Sequence, residues 1–193
     1  MSNDLTSFVK SLYGEENPIP LHEPHLDESD KDLVIQAIDS TFVSSVGQMV
    51  SDLENKICQF TGSNYAVAVV NGTSALFVSL ELSGVNTGDE VLTQSLTFVA
   101  STNAIHQCKA FPVFIDVDRE TMGMCPASLI KFLEENCELR EEGCWNRTTN
   151  RYIRACMPMH TFGFPCEVDK IKKICANYAI SLIEDAAESL GSF

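Results

Sequence analysis

Glu90-Val91-Leu92-Thr93-Gln94, followed by Ser95-Leu96-Thr97-Phe98-Val99-Ala100 and then by Phe111-Pro112-Val113-Phe114-Ile115, decides the fold. The first five residues read as a strand, residues 99–108 as a helix and 111–115 as a second strand. Strand, helix and strand in that order form a βαβ unit, whose strands run parallel.

The same alternation continues on both sides. Upstream, Tyr65-Ala66-Val67-Ala68-Val69-Val70 is a continuous apolar run, expected to be a strand covered on both faces. A helix over 74–83, closed by Gly84, follows it. Downstream the expectation is a helix over 126–137, a polar surface loop from Cys137 to Asn150, a strand over 152–157, a helix over 167–178 and a strand over 179–183. The chain therefore reads as α/β, with a mostly parallel sheet and helices on both faces. Before the sheet, residues 1–27 read as an N-terminal arm kept extended by Pro18, Pro20 and Pro24. A helix over 28–42, capped by Ser29 or Asp27, and another over 49–61, ended by Gly62, complete the order. Residues 28–193 are taken as one partial domain.

Composition narrows the function. Lys and Arg number 13 against 27 Asp and Glu, a formal net charge of −14. With no basic surplus to displace counterions, nucleic-acid binding is not expected. A small anionic ligand needs only a local pocket and stays open. The 8 cysteines include no C-x-x-C pair, so neither a zinc ribbon nor any other metal site is expected; buried free thiols are. Met1-Ser2-Asn3-Asp4 lacks the basic and apolar regions of a signal peptide, and no apolar run has the length of a membrane span. The cytoplasm is the expected compartment.

In open parallel sheets ligands bind beyond the carboxyl ends of the strands, so the residues there are the candidates for chemistry. Gly72-Thr73-Ser74 opens a helix, and its free backbone N–H groups and hydroxyls can cradle an anion; taken alone, an ordinary Thr or Ser N-cap is the simpler account. Phe98 offers a ring for stacking, or is a core phenylalanine. Asp185 can hold a pyridinium N–H, as pyridoxal phosphate (PLP) chemistry requires, or with Glu188 can form a capping box. His160 is a polar contact or a structural histidine. Ser44, Ser45 and Gly47 face a substrate or form a polar loop. Asp116 and Asp118 read as turn or cap residues.

Taken in order along the chain, these segments closely resemble the DegT/DnrJ/StrS family of PLP-dependent sugar aminotransferases. The specific pieces are Asn71-Gly72-Thr73-Ser74-Ala75-Leu76, Thr97-Phe98-Val99-Ala100 and Glu184-Asp185-Ala186-Ala187-Glu188. Ile19-Pro20-Leu21-His22-Glu23-Pro24 and the stretch from Ser40 to Gly47 resemble the LegC-type subgroup. The resemblance implies the large domain of PLP-dependent transferase fold type I, incomplete here. It implies that Gly72, Thr73 and Ser74 bind the cofactor phosphate, that Phe98 stacks on the ring, that Asp185 meets the ring nitrogen and that Glu188 lies close by. Ser44, Ser45, Gly47 and His160 become substrate contacts.

The implied reaction moves an amino group from an amino acid, glutamate by expectation, to a nucleotide-linked keto sugar in amino-sugar and surface-polysaccharide synthesis, in a homodimer. No lysine follows Asp185 in the chain. The family's Schiff-base lysine and small C-terminal domain are therefore expected to lie outside it, no catalytic residue is assigned, and the chain alone is expected to be an inactive fragment with exposed apolar surface. The alternatives are a non-catalytic binding or dimerisation module and a fragment of a PLP sugar dehydratase.

Overall fold

The structure, a computed structural model, describes residues 2–14, 19–20, 23–44 and 46–192. The chain divides into two compact units, one up to Ala68 and one from Val69.

The first unit holds helices α1 (Ser2–Tyr13), α2 (Glu28–Asp39) and α3 (Gln48–Thr61). Helix α1 corrects the expectation of a wholly extended arm. The prolines act only on their own neighbourhood, whereas Leu5, Phe8, Val9 and Leu12 fall at helical spacing, with Asp4 in the first turn and Lys10 in the last. Asp27 caps α2: its Oδ1 accepts from Ser29 N at 2.8 Å, and Asp30 Oδ2 accepts from Asp27 N at 2.8 Å, a reciprocal capping box. The helix stops at Asp39, short of 42, because Thr41 takes a left-handed φ of 62°. Gly62, at φ 74°, ends α3 by donating to Cys58 O at 2.9 Å. None of the described residues of this unit is buried.

The run over 65–70 forms no strand. Tyr65 is 88% exposed and Val70 86%, and the N–H of Ala68 goes to the side chain of Glu54 at 2.8 Å instead of to a neighbouring strand. Apolarity suits a segment to a sheet, but only a partner strand satisfies its backbone.

The second unit contains, in order, α4 (Gly72–Leu82), β1 (Glu90–Gln94), α5 (Val99–Gln107), β2 (Phe111–Ile115), α6 (Pro126–Asn136), β3 (Cys137–Arg140), β4 (Gly143–Asn146), β5 (Arg151–Cys156), α7 (Val168–Asn177) and β6 (Ser181–Leu182). Strand β1 lies between β2 and β5, parallel to both. The far edge of β5 is shared. Its first half, Arg151 to Ile153, pairs antiparallel with β4, and its second half, Ala155 and Cys156, pairs parallel with β6.

The register shifts between Glu90 and Val91, so that Ile153 and Ala155 face successive residues of β1 and Arg154 is the extra residue of a β-bulge. That bulge turns Ile153 and Ala155 to opposite faces. Ile153 joins Leu92, Leu129, Leu133, Cys156 and Ile171 beneath α6 and α7. Ala155 joins Leu76, Leu80, Val91, Ile105 and Met157 beneath α4 and α5. The helices thus cover both faces, as the alternation predicts.

The segment expected as a loop from Cys137 to Asn150 is the β3–β4 hairpin. Its charged residues hid it, because an antiparallel ribbon keeps one solvated face. On that face the Arg140 guanidinium sits 4.2 Å from the Trp145 ring centroid, and Trp145 meets Tyr152 edge-on at 4.8 Å. On the other, buried Asn146 donates to buried Glu90 at 2.8 Å. Among the described residues no helix is long and apolar enough to cross a membrane.

Candidate cofactor site at the carboxyl edge of the sheet

Asn71, not Thr73 or Ser74, caps α4: its Oδ1 accepts from Ser74 N at 2.8 Å. That bond leaves the Gly72 and Thr73 N–H groups without an acceptor among the described residues, at the positive end of an 11-residue helix. A Cβ on Gly72 would meet nothing within 4 Å, so the backbone is open to close approach.

Strand β1 runs out into Phe98, the N-cap of α5. The phenylalanine is 65% exposed, which rules out a core role. Its N–H donates to Met159 Sδ at 3.3 Å. Beneath it a buried amide ties the strand ends together. Gln94 Nε2 donates to Leu96 O at 3.0 Å, Met159 O at 3.1 Å and Thr161 Oγ1 at 3.0 Å, while its Oε1 accepts from Met159 N at 3.3 Å. This network holds the chain after β5 against the end of β1.

Asp185 follows β6 and bridges in parallel to Met159: its N–H donates to Pro158 O at 2.9 Å and its carbonyl accepts from His160 N at 3.1 Å. The side chain is 4% exposed and accepts from Ser101 Oγ at 2.7 Å. No helix follows it among the described residues, so the capping-box arrangement with Glu188 does not form. Glu188 accepts from Phe162 N at 2.7 Å instead.

These strand ends enclose a cavity of about 310 Å³. Gly72, Thr73 and Leu76 line it from α4, Phe98 and Ala100 from the start of α5, Met159 from beyond β5, and Asp185, Ala187 and Glu188 from beyond β6. A smaller lobe of about 160 Å³ shares Phe98, Met159 and Glu188 and adds Leu96, Thr97, Thr161 and Phe162. Residues far apart in sequence thus present open backbone donors, an aromatic face and a buried carboxylate to one space. Among the described residues no Lys or Arg lines either lobe. An anionic group would be held there by N–H groups and hydroxyls, and a cationic ring atom by Asp185.

Other expected site residues lie elsewhere. Ser74 is one position beyond the lining, its N–H spent on the cap. His160 is 5% exposed; its Nδ1 accepts from Cys166 N at 3.1 Å and its Nε2 lies 3.2 Å from Glu184 Oε2, so it braces the turn and does not line the cavity. Ser44 and Gly47 belong to the first unit, between α2 and α3. Ser45 lies outside the described residues. Sequence reading missed Met159 and Ser101. Met159 immediately precedes the strand-end segment that begins at His160, and Ser101 sits in the first turn after Phe98. Among the described residues no group of three or more His, Cys, Asp or Glu is placed to hold a metal ion.

A family model described as the DegT/DnrJ/EryC1/StrS aminotransferase family matches residues 24–193. A GDP-perosamine synthase of Escherichia coli O157:H7 is 35% identical over 174 residues, covering 90% of this chain and 43% of that protein. EpsN of Bacillus subtilis, named as a candidate pyridoxal phosphate-dependent aminotransferase, is 34% identical over 174 residues, covering 90% of this chain and 42% of its own length. The crystal structure of an aminotransferase from Psychrobacter cryohalolentis superposes with a TM-score of 0.74 at 29% identity, over 89% of this chain and 40% of that one. The chain thus spans less than half the length of the proteins it matches.

Proposed function

The chain belongs to the DegT/DnrJ/EryC1/StrS aminotransferase family, and from that premise we propose that it supplies the PLP-binding part of a sugar aminotransferase. The observation that carries this is the single cavity joining Gly72 and Thr73, Phe98 and Asp185. A phosphorylated pyridine ring fits those donors. Gly72 and Thr73 N–H groups, with the Thr73 and Ser74 hydroxyls, take the phosphate. The Phe98 ring covers one face of the pyridine. Asp185, buried beside Ser101, meets the ring nitrogen and keeps its proton there. When bound, the cofactor supplies an electron sink for amino transfer. The chain's own part is to bind it, orient it and hold that proton.

The reaction proposed for the whole protein transfers an amino group from an amino acid, glutamate as the donor, to a nucleotide-linked keto sugar. The E. coli relative's name supports a GDP-linked sugar. The working unit proposed is a homodimer in the cytoplasm, with the sugar contacts drawn from Ser44, Ser45 and Gly47.

The test is calorimetric titration of this chain with pyridoxamine 5′-phosphate, which carries no aldehyde to react with surface lysines. Saturable binding that is lost in Asp185→Ala and weakened in Thr73→Val is expected. Absence of binding to the unaltered chain would overturn the reading.

A further inference from the structure

We infer that Ser101 is a positioning residue for this site, orienting the Asp185 carboxylate from behind; the inference rests on the cofactor reading above. Ser101 is fully buried and outside the cavity lining. Its hydroxyl lies 2.7 Å from Asp185 Oδ2, a bond joining residues 84 apart in the chain. Thr97 Oγ1 lies 2.8 Å from Ser101 Oγ on the other side. Ser101 has one hydroxyl proton, and it is donated to Asp185 Oδ2. Thr97 Oγ1, which donates to Met159 Sδ at 3.0 Å, packs against the Ser101 hydroxyl from behind.

The other carboxylate oxygen, Oδ1, accepts from Ala187 N at 3.3 Å, a longer bond. The terminal torsion of an aspartate is broad and has few barriers of its own. The short bond to Ser101 selects its angle, and the remaining lone pairs of the carboxylate stay free for a donor in the cavity. Ser101 stands in the first turn of α5, three residues after Phe98. One helix start therefore carries both the stacking ring and the hydroxyl that aims the carboxylate, so the plane of the ring and the angle of its nitrogen partner are set together.

The test uses pyridoxamine 5′-phosphate labelled with nitrogen-15 in the ring, bound to the unaltered chain, to Ser101→Ala and to Ser101→Cys, which keeps the shape with a weaker donor. Dissociation constants and the bound ring-nitrogen shift are read by titration and NMR, and circular dichroism checks folding. In the unaltered chain the shift should report a protonated ring nitrogen. Affinity should fall about tenfold in Ser101→Ala, as for loss of a charge-assisted hydrogen bond, and the ring-nitrogen shift should move toward the unprotonated position. Ser101→Cys should lie between, and decides the matter should Ser101→Ala not fold. An unchanged ring-nitrogen shift in the folded variants, with or without a loss of affinity, would overturn the inference and leave the cofactor reading standing. Failure of the unaltered chain to bind would overturn both.

Discussion

The backbone N–H of Phe162 donates to the Glu188 carboxylate at 2.7 Å, across 26 residues of chain. Phe162 is left-handed, at φ 56° and ψ 24°, a conformation that costs a residue with a Cβ about 1–2 kcal/mol. Gly163 follows at φ 82°, and a Cβ there would lie 3.0 Å from Glu188 O. The turn that walls the smaller lobe is held in a strained shape by its contact with Glu188, a pattern typical of functional loops.

Replacing Glu188 by Ala removes the acceptor and should release that turn. We expect a stability loss of about 1–2 kcal/mol by urea denaturation and faster chymotrypsin cleavage after Phe162, which is already 68% exposed. Glu188→Gln keeps an acceptor oxygen and should behave nearly as the unaltered chain. Equal cleavage rates for all three would show that the contact does not hold the turn.

Gly123 is a glycine because of Cys166. A Cβ at 123 would stand 2.5 Å from Cys166 Cβ, closer than such atoms ever approach. Gly123→Ala should destabilise the chain by about 1–3 kcal/mol. Adding Cys166→Gly should recover part of that loss. A double-mutant cycle with no coupling would refute the steric explanation.

Gln94 and Thr93 are neighbours with unequal burdens. The buried Gln94 amide bonds to Leu96, Met159 and Thr161, whereas Thr93 Oγ1 donates once, to Met157 O at 3.0 Å. Gln94→Leu strands several buried partners and should cost about 2–4 kcal/mol, against about 1 kcal/mol for Thr93→Val. Melting curves that rank the two variants the other way would be inconsistent with the network described.

Burial, followed by the nearby Glu184 carboxylate, pushes the Cys166 thiol from 9.0 up to about 11. The neutral thiol is the form the native state favours. Its contribution is therefore complete below the unfolded value near 9.0 and is lost as pH rises through about 11. Stability should fall across that window by an amount on the order of 2 kcal/mol. Other groups titrate there too, so the measurement is the difference in slope between the unaltered chain and Cys166→Ala. Parallel slopes would contradict the shift.

Much of the fold was legible because its elements are local. The β1–α5–β2 unit carries its own periodicity, and the observed strands coincide with the expected 90–94 and 111–115. Where pairing decides the outcome, local reading failed in both directions. The apolar run over 65–70 looks like a strand and has no partner, while the charged run from Cys137 looks like a loop and pairs with β5 through β4. Along the cavity, Phe98 and Asp185 follow strands and Thr73 opens a helix, and each of those positions is local information. Ser101 and Gln94 were not legible, because what matters in them is a partner more than sixty residues away, Asp185 for one and Met159 for the other.

The forked edge of β5 bears on the order of assembly. Hairpin β3–β4 closes over a few residues, so it is entropically cheap and should form early. The β1–β5 pairing must bridge some sixty residues and should come late. A strand that slid by one position would break its antiparallel and parallel neighbours together and turn its side chains inside out. Misthreaded intermediates therefore have little to stabilise them, and refolding is expected to hinge on one slow docking event.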